Sequence, residues 1–274
     1  MDDFSAWLGR KERRVERLEP LQSNALLAAL GKEPIGADAT ALPALHHWLY
    51  FWDVRPPSEL GTDGHPAKGG FLPPIPLPRR MWAGGRLQFE GELRFGDEVE
   101  RMSRIAAIET KEGRSGTLVF VAVEHRLTGS NGARLLEEQD LVYREPSATP
   151  APLPAPLAGA PDCDHHETLA PDSVLLFRYS ALTMNGHRIH YDRPYATREE
   201  GYAGLVVHGP LQATLLADLA TRRLGGSLRS FSFRGQSPAF GGLDLHLCCA
   251  AQSDGELLLW SQQSEARAMT ASAR

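Results

Sequence analysis

The sequence predicts an α+β protein made of two similar halves, each an antiparallel sheet wrapped on a helix. Three observations carry that expectation: a proline-rich break at mid-chain, alternating strand-like segments on both sides, and a Phe/Gly phrase that recurs half a chain away. From Glu145 to Asp162 the chain reads EPSATPAPLPAPLAGAPD. Alternating Ala and Pro sustain neither a helix nor an interior strand, and they favour an extended, semi-rigid connector. The break divides 274 residues into an N-terminal repeat (1–145), a linker (146–162) and a C-terminal repeat (163–274). Phe89-Glu-Gly91 followed by Phe95-Gly96 in the first half answers to Phe233-Arg-Gly235 followed by Phe240-Gly241 in the second, at separations of 144 and 145 residues. Each copy leads into strand-like sequence, so duplication is favoured, and sheets with helices packed on them define α+β architecture.

In the N-terminal half, Phe4, Trp7 and Leu8, then Val15 and Leu18, follow helical spacing. Pro20 restarts a helix expected to bury Leu21, Ala25 and Leu26 and to stop at Gly31. The stretch from His46 is dense in aromatic residues, Pro and Gly, which predicts a packed irregular loop. Strands are expected at Arg86–Glu92, Glu98–Glu109, Thr117–Arg126 and Arg134–Arg144. Val119, Val121 and Val123 on one face, with Phe120 and Ala122 on the other, suggest burial on both sides.

The C-terminal half offers a strand near Ser173–Phe177, a polar motif, and then the helical run PLQATLLADLATRRL from Pro210 to Leu224. Leu211, Leu215 and Leu219 form its apolar stripe, widened by Leu216 and Ala220. Arg222 and Arg223 suit the negative end of the helix dipole, and Gly225-Gly226 supplies the stop. Further strands are expected at Leu228–Phe233, Leu243–Ala251 and Glu256–Gln263.

Composition narrows the class. A content of 42% hydrophobic and 23% charged residues suffices for a packed core. The longest apolar run, Leu118–Val123, is strand-sized, well short of the roughly 20 residues that span a bilayer, so no membrane partner is expected. The first residues, MDDFS, lack the pattern of a secretory signal. Cys163, Cys248 and Cys249 do not make a spread, even disulfide set. These features together predict a cytoplasmic protein. A net charge of −5 argues against a nucleic-acid partner. The pairs His46-His47 and His165-His166 lack the carboxylate or cysteine spacing of a zinc site, so no metal is expected. Gly113-Arg-Ser-Gly116 lacks the flanks of a nucleophile elbow, and no Gly-rich phosphate loop is present.

The chemistry concentrates between Tyr179 and Leu211, YSALTMNGHRIHYDRPYATREEGYAGLVVHGPL. Asn185, His187, Arg188, His190, Tyr191 and Asp192 fall within eight positions. Eighteen residues beyond His190, His208-Gly209-Pro210 opens the leucine-striped helix. The first N–H groups of a helix have no intrahelical partner and sit at its positive end. Glycine there lets a ligand approach the main chain. The Gly209 N–H therefore suits a carbonyl oxygen that gains negative charge, and losing one such donor costs about 3 kcal/mol. A histidine opposite would serve proton transfer α to a thioester, since imidazole titrates near neutrality.

At these residues the chain resembles the MaoC-like and (R)-specific enoyl-CoA hydratases, whose motif is Asp-x-Asn-Pro-x-His followed by a His-Gly turn into a central helix. HWLYF, the DGHP at Asp63, GGFLPP, PRRMWAGG, GRSGTLVF and NGHRIHYD more closely resemble the subgroup of 3-hydroxyacyl-thioester dehydratases and mesaconyl-C4-CoA or itaconyl-CoA hydratases. The resemblance covers about Trp48 to Phe233. It implies a double hot-dog fold with catalytic residues in one repeat only, the N-terminal repeat being non-catalytic. It places His190 at the catalytic histidine and Gly209 at the thioester-oxygen donor. One departure matters: the motif's aspartate falls on Asn185, and its asparagine on His187. Asn185 is then expected to position water, with His187 assisting.

Arg79 and Arg80 are candidate contacts for the CoA phosphates or a substrate carboxylate, and Arg188 is a third. The implied function is reversible hydration of an α,β-unsaturated acyl-CoA, with no cofactor beyond the coenzyme A of the substrate. A branched C5 dicarboxylic ester such as mesaconyl-C4-CoA or itaconyl-CoA, yielding citramalyl-CoA, is the preferred substrate. Dehydration of 3-hydroxyacyl-ACP or -CoA in fatty-acid synthesis, and a non-catalytic acyl-CoA-binding subunit, are the alternatives. Two fused repeats already form a pseudo-dimer, which leaves a homodimer open.

Overall fold

The computed structural model describes residues 4–36, 38–113, 116–145 and 152–274. In the N-terminal half, strand β1 (Lys11–Arg17) and helix α1 (Pro20–Ala29) precede strands β2 (Arg79–Glu90), β3 (Glu98–Gly113), β4 (Gly116–Gly129) and β5 (Arg134–Arg144). The C-terminal half comprises β6 (His165–Leu169), α2 (Ser173–Leu182), α3 (Arg193–Arg198), α4 (Gly209–Leu224), β7 (Ser230–Gly235), β8 (Leu245–Ala251), β9 (Leu257–Gln262) and β10 (Arg267–Ala273).

All ten strands form one sheet in the order β1-β3-β4-β5-β2-β7-β10-β9-β8-β6. Read outward from the central β2–β7 pair, the two halves have the same succession of strands. The two sheets of the double hot-dog are thus joined edge to edge. The joint is tight: a methyl group on Gly84 would lie 2.6 Å from the Phe233 carbonyl oxygen, and one on Gly85 would lie 2.9 Å from the Glu138 carbonyl oxygen. Only glycine lets these backbones approach so closely. Trp48, Trp82 and Phe233 seal the joint with edge-on ring contacts at 4.8 to 5.9 Å.

Helix α4 is the long central helix, packed on β7, β8, β9 and β10. Leu211, Leu215, Leu216, Leu219 and Ala220 are all buried, as their spacing predicts. Gly225 ends the helix in the left-handed region at φ +70°. Its N-terminal counterpart, α1, has ten residues and packs on α2 and on the turn at His46–Leu49.

Four expectations are corrected. KERRVER at 11–17 is an edge strand, not helix: exposed positions alternate with the half-buried Glu12, Arg14 and Glu16, and Arg13 pairs across to Glu100 at 2.6 Å. Leu21 faces solvent at 74% exposure while Leu26 is fully buried, so α1 turns another face inward than expected. Ser173–Phe177 begins helix α2, because the Asp172 carboxylate accepts the Leu175 N–H at 2.8 Å and caps the first turn. Strands β6 and β10 were not expected; β10 is short and Ala-rich, and its pairing with β7 and β9 makes it a strand. On β4, Val119, Val121 and Val123 are buried, whereas Phe120 and Ala122 are only partly so.

Candidate active site

The polar motif leaves α2 through a turn, makes a single 3-10 turn at Arg188–His190, and continues into α3. Asn185 Oδ1 accepts the His187 N–H at 3.0 Å, a local turn that sets the direction of the chain. Val206 N–H donates to the Ile189 carbonyl, which brings the approach to α4 alongside His190. The His190 Nδ1–H donates to the Val206 carbonyl at 2.7 Å. That bond assigns the proton to Nδ1 and leaves Nε2 with a lone pair. Burial is the main cause that holds His190 down at about 3. It is therefore a neutral imidazole, a base and not an acid at rest.

The His190 ring stacks on His208 at 3.6 Å, and His208 Nε2 hydrogen-bonds Ser180 Oγ at 2.9 Å. Because His208 is the residue before Gly209 at the start of α4, the stack ties the imidazole to the helix N-terminus. Both His190 and Gly209 line one cavity of about 960 Å³. A methyl group on Gly209 would find nothing nearer than 3.9 Å, so the main chain there is open to a ligand.

Asn185, His187, Arg79 and Arg80 line the same cavity. Arg79 is committed to Glu200: it bonds that residue's carbonyl and stands 3.8 Å from its carboxylate, with its guanidinium 5.5 Å from the Tyr202 ring. The other Glu200 oxygen is 3.4 Å from His187 Nε2. Arg80 and Lys68 have no carboxylate partner among the described residues, nor does Arg144, whose buried Nε is unpaired. The charge of Arg80 bears on both His65 and Lys68.

Arg188 is corrected. It does not line the cavity; it pairs with Asp192 at 2.7 Å, lies 4.1 Å over the Tyr195 ring and donates to the Thr62 carbonyl at 3.1 Å. Its work is to fasten a loop to the motif, and an i,i+4 acid was the signal in the sequence.

That loop brings in residues to which the sequence assigned no role. Asp63 and His65 come from the N-terminal half. The Arg188 N–H donates to the Asp63 carbonyl at 2.9 Å. Gly64 and Gly186 meet face to face, since a methyl group on Gly64 would lie 2.0 Å from the Gly186 carbonyl oxygen. The His65 Nδ1–H donates to the Asp63 carboxylate at 3.0 Å, and the His65 ring lies 4.2 Å from that of His187. Donor atoms of Asp63, His65 and His187 lie within 4.8 Å of one another, a set that could hold a divalent metal.

Comparison with known proteins agrees with this architecture. The double hot-dog architecture is that of solved MaoC-like dehydratases. A solved MaoC-like dehydratase of Phytophthora capsici shares the fold, with a TM-score of 0.70 at 14% identity over 97% of this chain and 94% of that one. Residues 45–241 match the family model of hydroxyacyl-thioester dehydratase type 2, and the chain belongs to that family. It is 49% identical to the mesaconyl-C(4)-CoA hydratase of Chloroflexus aurantiacus over 242 residues, 87% of this chain and 85% of the relative. The mitochondrial hydroxyacyl-thioester dehydratase type 2 of Schizosaccharomyces pombe is 28% identical, over 77% of this chain and 79% of that protein. The protein is a hydro-lyase acting on acyl thioesters. No helix among the described residues is long and apolar enough to cross a membrane.

Proposed function

We propose that the protein hydrates a branched C5 dicarboxylic enoyl-CoA, mesaconyl-C4-CoA or itaconyl-CoA, to citramalyl-CoA. The observation that carries the substrate is the charge of the cavity. Lys68, Arg80 and Arg144 bring three cations with no carboxylate partner among the described residues, which suits a substrate with an anionic acyl end as well as CoA phosphates. The 49% identity to a mesaconyl-C(4)-CoA hydratase supports the same reading.

In this reading, written for mesaconyl-C4-CoA, whose double bond is conjugated with the thioester (itaconyl-CoA enters only after an allylic proton shift from its α- to its γ-carbon), His190 Nε2 takes a proton from water as the water oxygen bonds to the β-carbon. The π pair moves to the thioester oxygen, which the Gly209 N–H receives as an enolate, and His190 returns the proton to the α-carbon. Asn185 sits beside the water, and Arg80 holds the distal carboxylate. His190, Gly209 and Asn185 belong to the repeat at 163–274 and the acyl end is read by the repeat at 1–145, with a homodimer as the proposed assembly.

The test is a panel of enoyl-CoA esters with and without a distal carboxylate, assayed on the wild type and on Arg80→Gln. Hydration of mesaconyl-C4-CoA is expected to exceed that of crotonyl-CoA. The Arg80→Gln variant should raise KM about tenfold or more for the dicarboxylic ester and little for crotonyl-CoA, as loss of a charged hydrogen bond of about 1.5–3 kcal/mol implies. Equal effects on both esters would reject recognition of the carboxylate by Arg80.

A further inference from the structure

The family motif has an aspartate where this chain has Asn185, and an amide cannot act as a strong proton acceptor. The structure returns a carboxylate to the site from elsewhere. Asp63 is carried in by the loop that Gly64 and Gly186 lock against the motif, where neither position has room for a side chain. Its carboxylate accepts the His65 Nδ1–H at 3.0 Å, so His65 Nε2 bears a lone pair and has no partner among the described residues. His65, His187 and His190 follow one another along the cavity wall, with ring centroids 4.2 Å and 5.5 Å apart.

We propose that His65 is the second catalytic group of the hydratase, accepting a hydrogen bond from the attacking water and aiming its lone pair at the β-carbon, with Asp63 as its positioning residue. The proposal rests on the hydratase reading above. The water gives one proton to His190 and directs its other hydrogen at His65 Nε2, which keeps no proton of its own through the cycle. In the reverse direction, the product hydroxyl donates to the same nitrogen before it leaves. The groups facing His65 are Asp63, His187 and Arg80, and the hydrogen bond to Asp63 fixes the proton on Nδ1. A neutral ring with a fixed tautomer is what an acceptor needs. Asp63 matters less for its charge than for the proton it holds on Nδ1. The amide of Asp63→Asn could present an N–H to Nδ1 and invert the tautomer, as a swapped carboxylate does in a serine-protease triad.

The experiment separates aiming of water from proton transfer at carbon. Wild type, His65→Gln and Asp63→Asn are assayed for hydration, and also for exchange of the α-proton of a saturated acyl-CoA in deuterated water, a reaction that uses His190 and Gly209 but no nucleophilic water. Hydration kcat should fall about 100-fold in His65→Gln, the scale set by misplacing a reactant. KM should stay within about threefold, and so should α-exchange. Asp63→Asn should lie between the two. Parallel loss of exchange and hydration would mean only disrupted structure, and unchanged hydration would mean no role; either overturns the proposal. Loss of wild-type hydration on chelation, restored by Zn²⁺, would overturn it in favour of a metal at Asp63, His65 and His187. A wild type that exchanges α-protons but hydrates no enoyl ester would instead reject the hydratase reading itself.

Discussion

In the C-terminal half the hollow of the sheet is filled by α4, whose leucines and alanines pack on four strands. Among the described residues, where α1 has ten residues, no helix of that length fills the corresponding hollow of the N-terminal half. Its strands instead turn polar groups inward: the His125 and Ser103 side chains are hydrogen-bonded at 2.8 Å, and Glu137 is buried at 3% exposure. Glu137 accepts from His47 at 3.0 Å, Trp48 at 2.8 Å and Gln139 at 2.8 Å. Ser103, His125, Gln139 and Arg101 line the same cavity that reaches His190. Two halves with one strand order have thus diverged in what fills them. One half has the sixteen-residue helix that presents the Gly209 N–H; the other has the ten-residue α1, and polar side chains line its share of the cavity. The difference teaches that a duplicated scaffold can divide its labour by emptying one copy.

The contrast is open to test, beginning with the largest effect. His190→Ala in the C-terminal half should lower kcat by about 10²–10⁴, the usual worth of a positioned acid–base group, and leave the unfolding midpoint close to that of the wild type. An active His190→Ala enzyme would move the chemistry elsewhere. Glu137→Ala in the N-terminal half should do the opposite, removing about 3 kcal/mol of stability by urea denaturation, because His47 and Trp48 lose a buried partner.

Glu137 also sets a pH window. Burial alone would raise its carboxyl, but His47, His125 and its hydrogen bonds hold it down at about 2. The stability it contributes is present above the ordinary carboxylate value of 4.5 and is lost as the pH falls toward 2. His46, held at about 4 mainly by burial, gives an earlier loss: the unfolded chain takes up protons below 6.5 that the folded chain refuses. Resistance to urea should therefore weaken from pH 6.5 downward and again below pH 4.5, the second fall being absent in Glu137→Ala. The smallest effect belongs to Leu21→Ala, expected within about 0.5 kcal/mol because the side chain is solvent-facing. A cost near that of a core leucine, about 2–5 kcal/mol, would mean that a partner covers α1.

Much of this was legible in the residues. The helix at Gly209–Leu224 announces itself by leucine spacing and a glycine stop, and β3, β4 and β5 by alternation over eleven or more residues. The motif around His190 was legible because so many polar residue types are rare together. Where the pattern was short, it misled. Phe4 to Leu18 fits helical spacing by coincidence, and the strand at 11–17 exists only because β3 offers an edge. Ser173 to Phe177 reads as apolar strand until Asp172 is seen to cap it.

The residues by themselves determined the class of chemistry, because a histidine, a glycine at a helix start and the phrases around them are local. They also suggested a division at the Ala/Pro-rich break, since proline cannot continue either kind of regular structure, and residues 146–151 of that break lie outside the described residues. Only the tertiary structure decided which charges are free. Arg79 and Arg188 look like Arg80 in the chain, but Glu200 and Asp192 neutralise the first two. Only the fold, too, brought Asp63 and His65 from more than a hundred residues away to the wall that holds His190. Pairing of side chains across such distances depends on how loops pack, and sequence spacing carries no record of that.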